Sequence, residues 1–110
     1  MKTSIVYSSK TGNTRQLADA IAAALPENDI LYTGAPCEAA LAADRLFIGF
    51  WTDKGSCSSE ISAFLKTVKG KQVFLFGTAG FGGDAAYFDK VLSAVKKHLD
   101  GSNTLLGSYM

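Results

Sequence analysis

The sequence predicts an α/β domain built on a doubly wound, five-stranded parallel sheet, and three observations lead there. Short β-branched or aromatic runs alternate with segments of helical period along the whole chain. Two of these runs, 45–50 after its leading Arg45 and 73–76, are continuously apolar, the pattern of strands covered on both faces. The most unusual polar stretches, 8–14, 50–56 and 77–84, each follow a strand.

The first strand is Thr3-Ser4-Ile5-Val6-Tyr7-Ser8, which stops at a polar cluster from Ser9 to Thr14. From Asn13 to Leu25 apolar residues fall at Leu17, Ala18, Ile21, Ala22 and Leu25, a period of about 3.6 that marks an amphipathic helix. Pro26 with Asn28 ends it. Asp29 to Thr33 is a second, weaker strand turned by Gly34-Ala35-Pro36, and alanine-rich 37–43 has room for one or two helical turns. Arg45 to Phe50 is the third strand, with a polar loop from Trp51 to Ser56 after it. The next helix carries Ile61, Phe64, Leu65 and Val68 on one face, with Ser58 or Cys57 placed to cap it and Lys69-Gly70-Lys71 ending it. Val73 to Phe76 is the fourth strand, and 77–83 is a glycine-rich loop. Asp84 then caps a long helix with Phe88, Val91, Leu92, Val95 and Leu99 in one stripe. Lys96, Lys97 and His98 complement its dipole and Gly101 stops it. The stretch 103–108 leaves room for a final short strand.

Parallel crossovers are right-handed, so five such strands have few arrangements, among them the order 2-1-3-4-5. In that order ligands bind beyond the carboxyl ends of the strands, near the switch between the first and third. The three polar loops converge there.

Composition narrows the function. A length of 110 residues is one domain, and a 47% hydrophobic share excludes disorder. No run approaches the ~18 apolar residues of a membrane span. The start, Met1-Lys2-Thr3-Ser4 leading straight into Ile5-Val6-Tyr7, does not read as a signal peptide. Two cysteines 20 positions apart, Cys37 and Cys57, make neither a disulfide framework nor a zinc site, which favours a reducing, cytoplasmic setting. A formal charge of +1 supplies no polybasic field for nucleic acid or anionic lipid. The sequence has no metal-ligand spacing and no nucleophile–base set, so any chemistry falls to a cofactor.

The first loop reads as an anion cradle. Ser8-Ser9-Lys10-Thr11-Gly12-Asn13-Thr14 joins a strand end to a helix start, where backbone N–H groups and the helix dipole favour negative charge. Gly12 lets the backbone come close, and Ser9, Thr11, Thr14 and Asn13 add donors. The competing reading is a capped helix with a solvated polar turn. The glycine pattern of a Walker loop is missing, and no cysteine lies in the loop.

Tyr7-Ser8-Ser9-Lys10-Thr11-Gly12-Asn13-Thr14, after a first strand and opening a helix, resembles the phosphate-binding signature of the flavodoxins, roughly [ST]-x-T-G-x-T over Ser9 to Thr14. The resemblance extends to 44–50, a third strand ending near Gly49, and to the strand and loop Phe76-Gly77-Thr78-Ala79-Gly80. It implies a flavodoxin-like fold that binds FMN, with the 5′-phosphate in the loop Ser8 to Thr14. It further implies that the ring sits between Trp51, Thr52, Asp53, Lys54 and Gly55 on one side and Thr78, Ala79, Gly80, Phe81 and Gly82 on the other. Trp51 and Phe81 are candidates to stack on the ring, worth about 0.5–1.5 kcal/mol beyond area burial; each reads equally as an ordinary anchor or loop residue. The peptide at Gly55, or between Asp53 and Lys54, is a candidate to flip as the flavin N5 gains a proton.

Three departures from the family are visible. Flavodoxins are strongly acidic, whereas this chain is near neutral, with Lys10 and Lys54 in the implied flavin loops. A lysine at 4 Å would favour the anionic reduced ring by up to about 4 kcal/mol at an effective dielectric of 20, giving a less negative second couple. Family members continue past the fifth strand into a helix, whereas this sequence stops at Met110, so either the sequence is truncated or an apolar sheet face is expected to lie open and to invite a homodimer. The loop 51–56 does not align cleanly with the acidic-aromatic version.

Other candidates read as structural. Cys57 stands near a helix start, where a thiolate is stabilised, but reads first as a small residue at the cap. Cys37 reads as a half-buried small hydrophobe, His98 as a dipole partner, and Tyr87 and Phe88 as core or rim. The resemblance implies an electron carrier exchanging electrons with redox protein partners through an exposed flavin edge. The alternatives are an NAD(P)H-dependent quinone or flavin reductase acting as a dimer, and an interaction module of the same fold without cofactor.

Overall fold

A computed structural model describes residues 2–9, 12–52, 56–78 and 85–110. Its strands are β1 (Thr3–Tyr7), β2 (Ile30–Gly34), β3 (Arg45–Trp51), β4 (Gln72–Thr78) and β5 (Thr104–Tyr109), and its helices are α1 (Asn13–Ala24), α2 (Ser59–Leu65) and α3 (Ala85–Lys96). The strands form one sheet in the order β2-β1-β3-β4-β5, every neighbouring pair parallel. This is the doubly wound topology that the alternating pattern predicts.

The two apolar runs occupy the middle of the sheet, where both faces need cover. Leu46, Ile48, Phe50, Val73 and Leu75 pack on one side with Ile61, Leu65, Val91 and Val95 from α2 and α3. Phe76 packs on the other with Ala18, Leu17 and Ile21 of α1. Each fully buried aliphatic or aromatic side chain of this kind contributes about 1.5–3 kcal/mol. The register locks the centre: Gly49 pairs with Phe76 and Phe50 with Gly77, so each ring lies over the neighbouring strand's glycine.

Three local details refine the sequence reading, and the helical turns expected within 37–43 do form, as 3-10 turns. A 3-10 turn at Glu27–Asp29 follows Pro26 and leads into β2. The crossover from β2 to β3 is a 3-10 segment, Glu38–Ala42, pinned to the sheet where the Ser4 hydroxyl donates to the Ala40 carbonyl at 2.9 Å. Ser58 holds the N-cap position of α2 without a side-chain cap bond, because it is buried and its hydroxyl has no partner among the described residues. Asp84, the expected cap of α3, lies outside the described residues.

The face over α1 is the less covered one. A groove of about 340 Å³ runs between Leu17, Ile21 and Ala24 of α1 and Phe74, Phe76 and Tyr109 of the sheet, and Leu105, Leu106 and Tyr109 are exposed along the edge strand. No described helix is long and apolar enough to cross a membrane.

At the amino end of the sheet a polar clasp ties the β4 and β5 entries together. Lys69 donates to Asp100 at 2.7 Å, Ser102 N–H donates to the same carboxylate at 2.7 Å, and Asn103 bridges Lys71 N–H and the Val68 carbonyl. The Lys69 ammonium, then the Ser102 N–H, hold the Asp100 carboxyl well below the usual carboxylate range. A depressed carboxyl stabilises the fold fully above its unfolded value of about 3.9 and loses that contribution as pH falls toward the folded value. Asp100→Asn is therefore expected to lower Tm near neutral pH, with the gap to the parent closing between about pH 5 and pH 2. Tm against pH for both proteins checks this; a gap constant with pH would assign the clasp to geometry alone. Both partners are well exposed, so salt shrinks the effect.

Candidate functional site

The site lies at the carboxyl edge of the sheet, where β1 and β3 lead their chains to opposite faces. β1 ends at Tyr7, and Ser8 N–H still donates to the Gly49 carbonyl at 3.2 Å, so the first loop departs alongside β3. Gly12 enters α1 in the left-handed conformation, φ +91°, which an L residue rarely adopts. Its N–H donates to the Ser9 hydroxyl at 3.0 Å, leaving the Ser9 proton free to be donated onward. The N-terminus of α1 has no side-chain cap and no acidic residue in its first turn. A helix start leaves several N–H groups without intrahelical acceptors, and among the described residues the Ser9 hydroxyl, which takes Gly12 N–H, is the side-chain acceptor seen there. That is a donor set built for an anion, and it fits a phosphate group.

Thr14 plays a different part. It is 1% exposed, and its hydroxyl lies 3.3 Å from the Phe50 carbonyl and 2.9 Å from the Thr78 hydroxyl. The proton count fixes the direction: Thr14 donates to Phe50, so Thr78 donates to Thr14. The Thr78 carbonyl in turn accepts from both the N–H and the hydroxyl of Thr52, each at 2.8 Å. Three threonines thus join the stems of the loops that leave β1, β3 and β4. Their hydroxyl protons all go to protein acceptors, and these bonds tie the three loop stems to one another.

Of the residues the sequence points to, Ser8, Ser9, Gly12, Asn13, Thr14, Trp51, Thr52 and Thr78 are brought to this one edge. Trp51 is half-buried as the last residue of β3, paired with Thr78 across the ladder. Lys10, Thr11, Asp53, Lys54, Gly55, Ala79, Gly80, Phe81 and Gly82 lie outside the described residues. No group of three or more His, Cys, Asp or Glu residues that could hold a metal occurs among the described residues.

Sequence reasoning missed the coupling of Tyr32 and Cys37. The Tyr32 phenol beside Cys37 holds the thiol below its ordinary value, and the thiol holds the phenol up. Burial pushes the Cys57 thiol up instead, which makes it an inert packing residue despite its place near the start of α2. His98 closes the end of α3 and Tyr87 packs edgewise near Phe88 on the rim, ring centroids 6.2 Å apart.

A five-stranded parallel sheet of this order, with the start of α1 at its switch point, defines a flavodoxin-like domain. The match to the flavodoxin domain family covers residues 4–110, and the chain belongs to that family. It is 43% identical over 128 aligned positions to the flavodoxin-like domain-containing protein BilS of Clostridium symbiosum, and 30% identical to the protein of the same name from Clostridioides difficile. Both alignments take in all of this chain, which spans 67% and 65% of those relatives' lengths. Among solved structures it resembles a flavoprotein in complex with FMN from Lactobacillus acidophilus, with a TM-score of 0.73 at 17% identity, covering 98% of this chain and 91% of that one. It also resembles the two-electron reduced flavodoxin of Megasphaera elsdenii, with a TM-score of 0.66 at 23% identity, covering 97% and 83%. At these identities the structural likeness speaks for the fold. Together with the family, it supports a flavin-binding, flavodoxin-like function.

Proposed function

We propose that this chain binds FMN and carries electrons between redox proteins. The observation that carries the proposal is the uncapped, acid-free N-terminus of α1 at the sheet's switch point, with the Ser9 hydroxyl and the Gly12 turn beside it. When bound, FMN supplies one- and two-electron redox chemistry. Ser9 and the first N–H groups of α1 would hold its phosphate, Gly12 would let the backbone approach it, and the threonine network would fix the stems of the loops that receive the ring. Trp51, half-buried as the last residue of β3, is the described aromatic residue proposed to stack on the ring. A similarity to a flavoprotein structure in complex with FMN supports the cofactor.

Two unpaired cysteines suit a reducing, cytoplasmic setting. Titrating the apo protein with FMN is expected to quench flavin fluorescence to a one-to-one end point, and the complex is expected to release FMN on denaturation. Absence of quenching with FMN in excess would leave only the interaction-module reading. Steady NAD(P)H oxidation with a quinone as sole acceptor would move the protein to the reductase class.

A further inference from the structure

On the face away from α1, a groove of about 550 Å³ opens between the β2–β3 crossover and α2. Its apolar wall includes Pro36, Leu41 and Phe64, Cys37 lies within it, and its two charged lining residues are Glu38 and Glu60. The groove exists because the crossover is a short 3-10 segment that leaves the flank of α2 partly bare. Both glutamates are exposed, and neither has an ion-pair partner among the described residues. An apolar trough flanked by two unanswered carboxylates is complementary to a chain that presents an apolar side chain between cations.

The groove also has a definite place. β2 ends at Gly34, level with Val6 near the carboxyl end of β1, and Pro36 to Glu38 follow directly. Glu60 stands in the first turn of α2, which begins where the loop after β3 ends. The acidic end of the groove therefore lies at the same edge of the sheet as the candidate flavin site.

We infer that the groove between Glu38–Ala42 and α2 docks a segment of a partner protein carrying an apolar side chain flanked by lysine or arginine. This rests on the carrier reading above, for docking there brings the partner beside the site edge through which electrons would pass. The two cysteines provide the assay. Cys37 is half-exposed in the groove with an acidified thiol, and Cys57 is buried with a raised one. Alkylation at Cys37 thus reports groove occupancy, and Cys57 serves as the control within the same molecule.

The probe is an amidated helical peptide of about 15 residues with leucines on one face and lysines on either side, compared with its glutamate-for-lysine counterpart. It is added to the full, FMN-treated chain, and alkylation at each cysteine is followed by mass spectrometry. The lysine peptide is expected to slow alkylation of Cys37 saturably, and the glutamate peptide to leave it unchanged. The Glu38→Gln/Glu60→Gln double variant is expected to weaken the lysine peptide about threefold to tenfold, the scale of two part-exposed ion pairs, and added salt to do the same. Equal protection by both peptides, protection by neither, or an unaffected double variant would overturn the inference. FMN fluorescence in the same samples separates the two readings. Quenching without groove protection sinks the docking site alone, and groove protection without quenching sinks the carrier.

Discussion

Ser9→Asp is expected to cut the affinity for FMN by about a hundredfold or more while leaving the apo protein at least as stable as its parent. The Ser9 hydroxyl accepts from Gly12 N–H at the mouth of α1, so a carboxylate at this position would sit among the donors assigned to phosphate. One unit of negative charge about 5 Å from a phosphate charge repels it by ~3 kcal/mol at an effective dielectric of 20, which is roughly a hundredfold in affinity. The same carboxylate at a helix N-terminus with no acidic residue in its first turn stabilises the helix by about 0.3–1 kcal/mol. The two signs are opposed, which separates a ligand site from a structural cap. Fluorescence titration with FMN and thermal melts of the apo proteins read both quantities. Ser9→Ala is the control, with small losses in each. An Asp variant that binds FMN as tightly as the parent would move the phosphate away from α1.

The second large effect concerns stability. Gly49→Ala and Gly77→Ala are each expected to destabilise the fold by about 1–3 kcal/mol or more, the range for overpacking a tight core. A methyl at Gly77 would overlap the Phe50 ring, and one at Gly49 would overlap the Phe76 ring and meet Thr14 Cγ2 at 3.0 Å. Phe50 and Phe76 are 0% and 1% exposed, so neither ring can swing into solvent. Against a total stability of about 5–15 kcal/mol for a domain, either change is severe. Chemical denaturation of the single variants checks the magnitude. Adding Phe50→Leu to Gly77→Ala is expected to return part of the loss, a coupling of about 0.5–3 kcal/mol in a double-mutant cycle. Additive losses would mean the ring and the glycine do not meet.

The runs of the middle strands and the stripe of α1 were legible because burial imposes a local period on the chain. Leu17, Ala18 and Ile21 fall on one face whatever α1 packs against, and Arg45 to Phe50 needs cover on both sides wherever it lies. Strand ends were less legible. β3 reaches Trp51 and β4 reaches Thr78 because these residues pair with each other and because Thr78 receives Thr52, contacts that no local pattern encodes. The same holds for the site. The crowding of hydroxyls between Ser8 and Thr14 marked the loop as an anion cradle, and the uncapped helix start is consistent with that. The inward turn of Thr14 was invisible, since its partner Thr78 is 64 residues away and a hydroxyl looks alike in sequence whether it meets ligand or protein. Cys37 and Tyr32 likewise meet only because a turn follows β2.

The threonine network has a consequence for how the site responds to its surroundings. Every group in it, from Thr52 through Thr78 and Thr14 to the Phe50 carbonyl, is a neutral hydroxyl, amide or carbonyl. None gains or loses a proton within several pH units of neutrality. The frame is therefore pH-silent: it neither titrates with the medium nor answers a change of charge at the cofactor by taking up a proton. A proton that accompanied any change of charge at a bound cofactor would therefore have to be taken up by groups other than these three threonines and the Phe50 carbonyl.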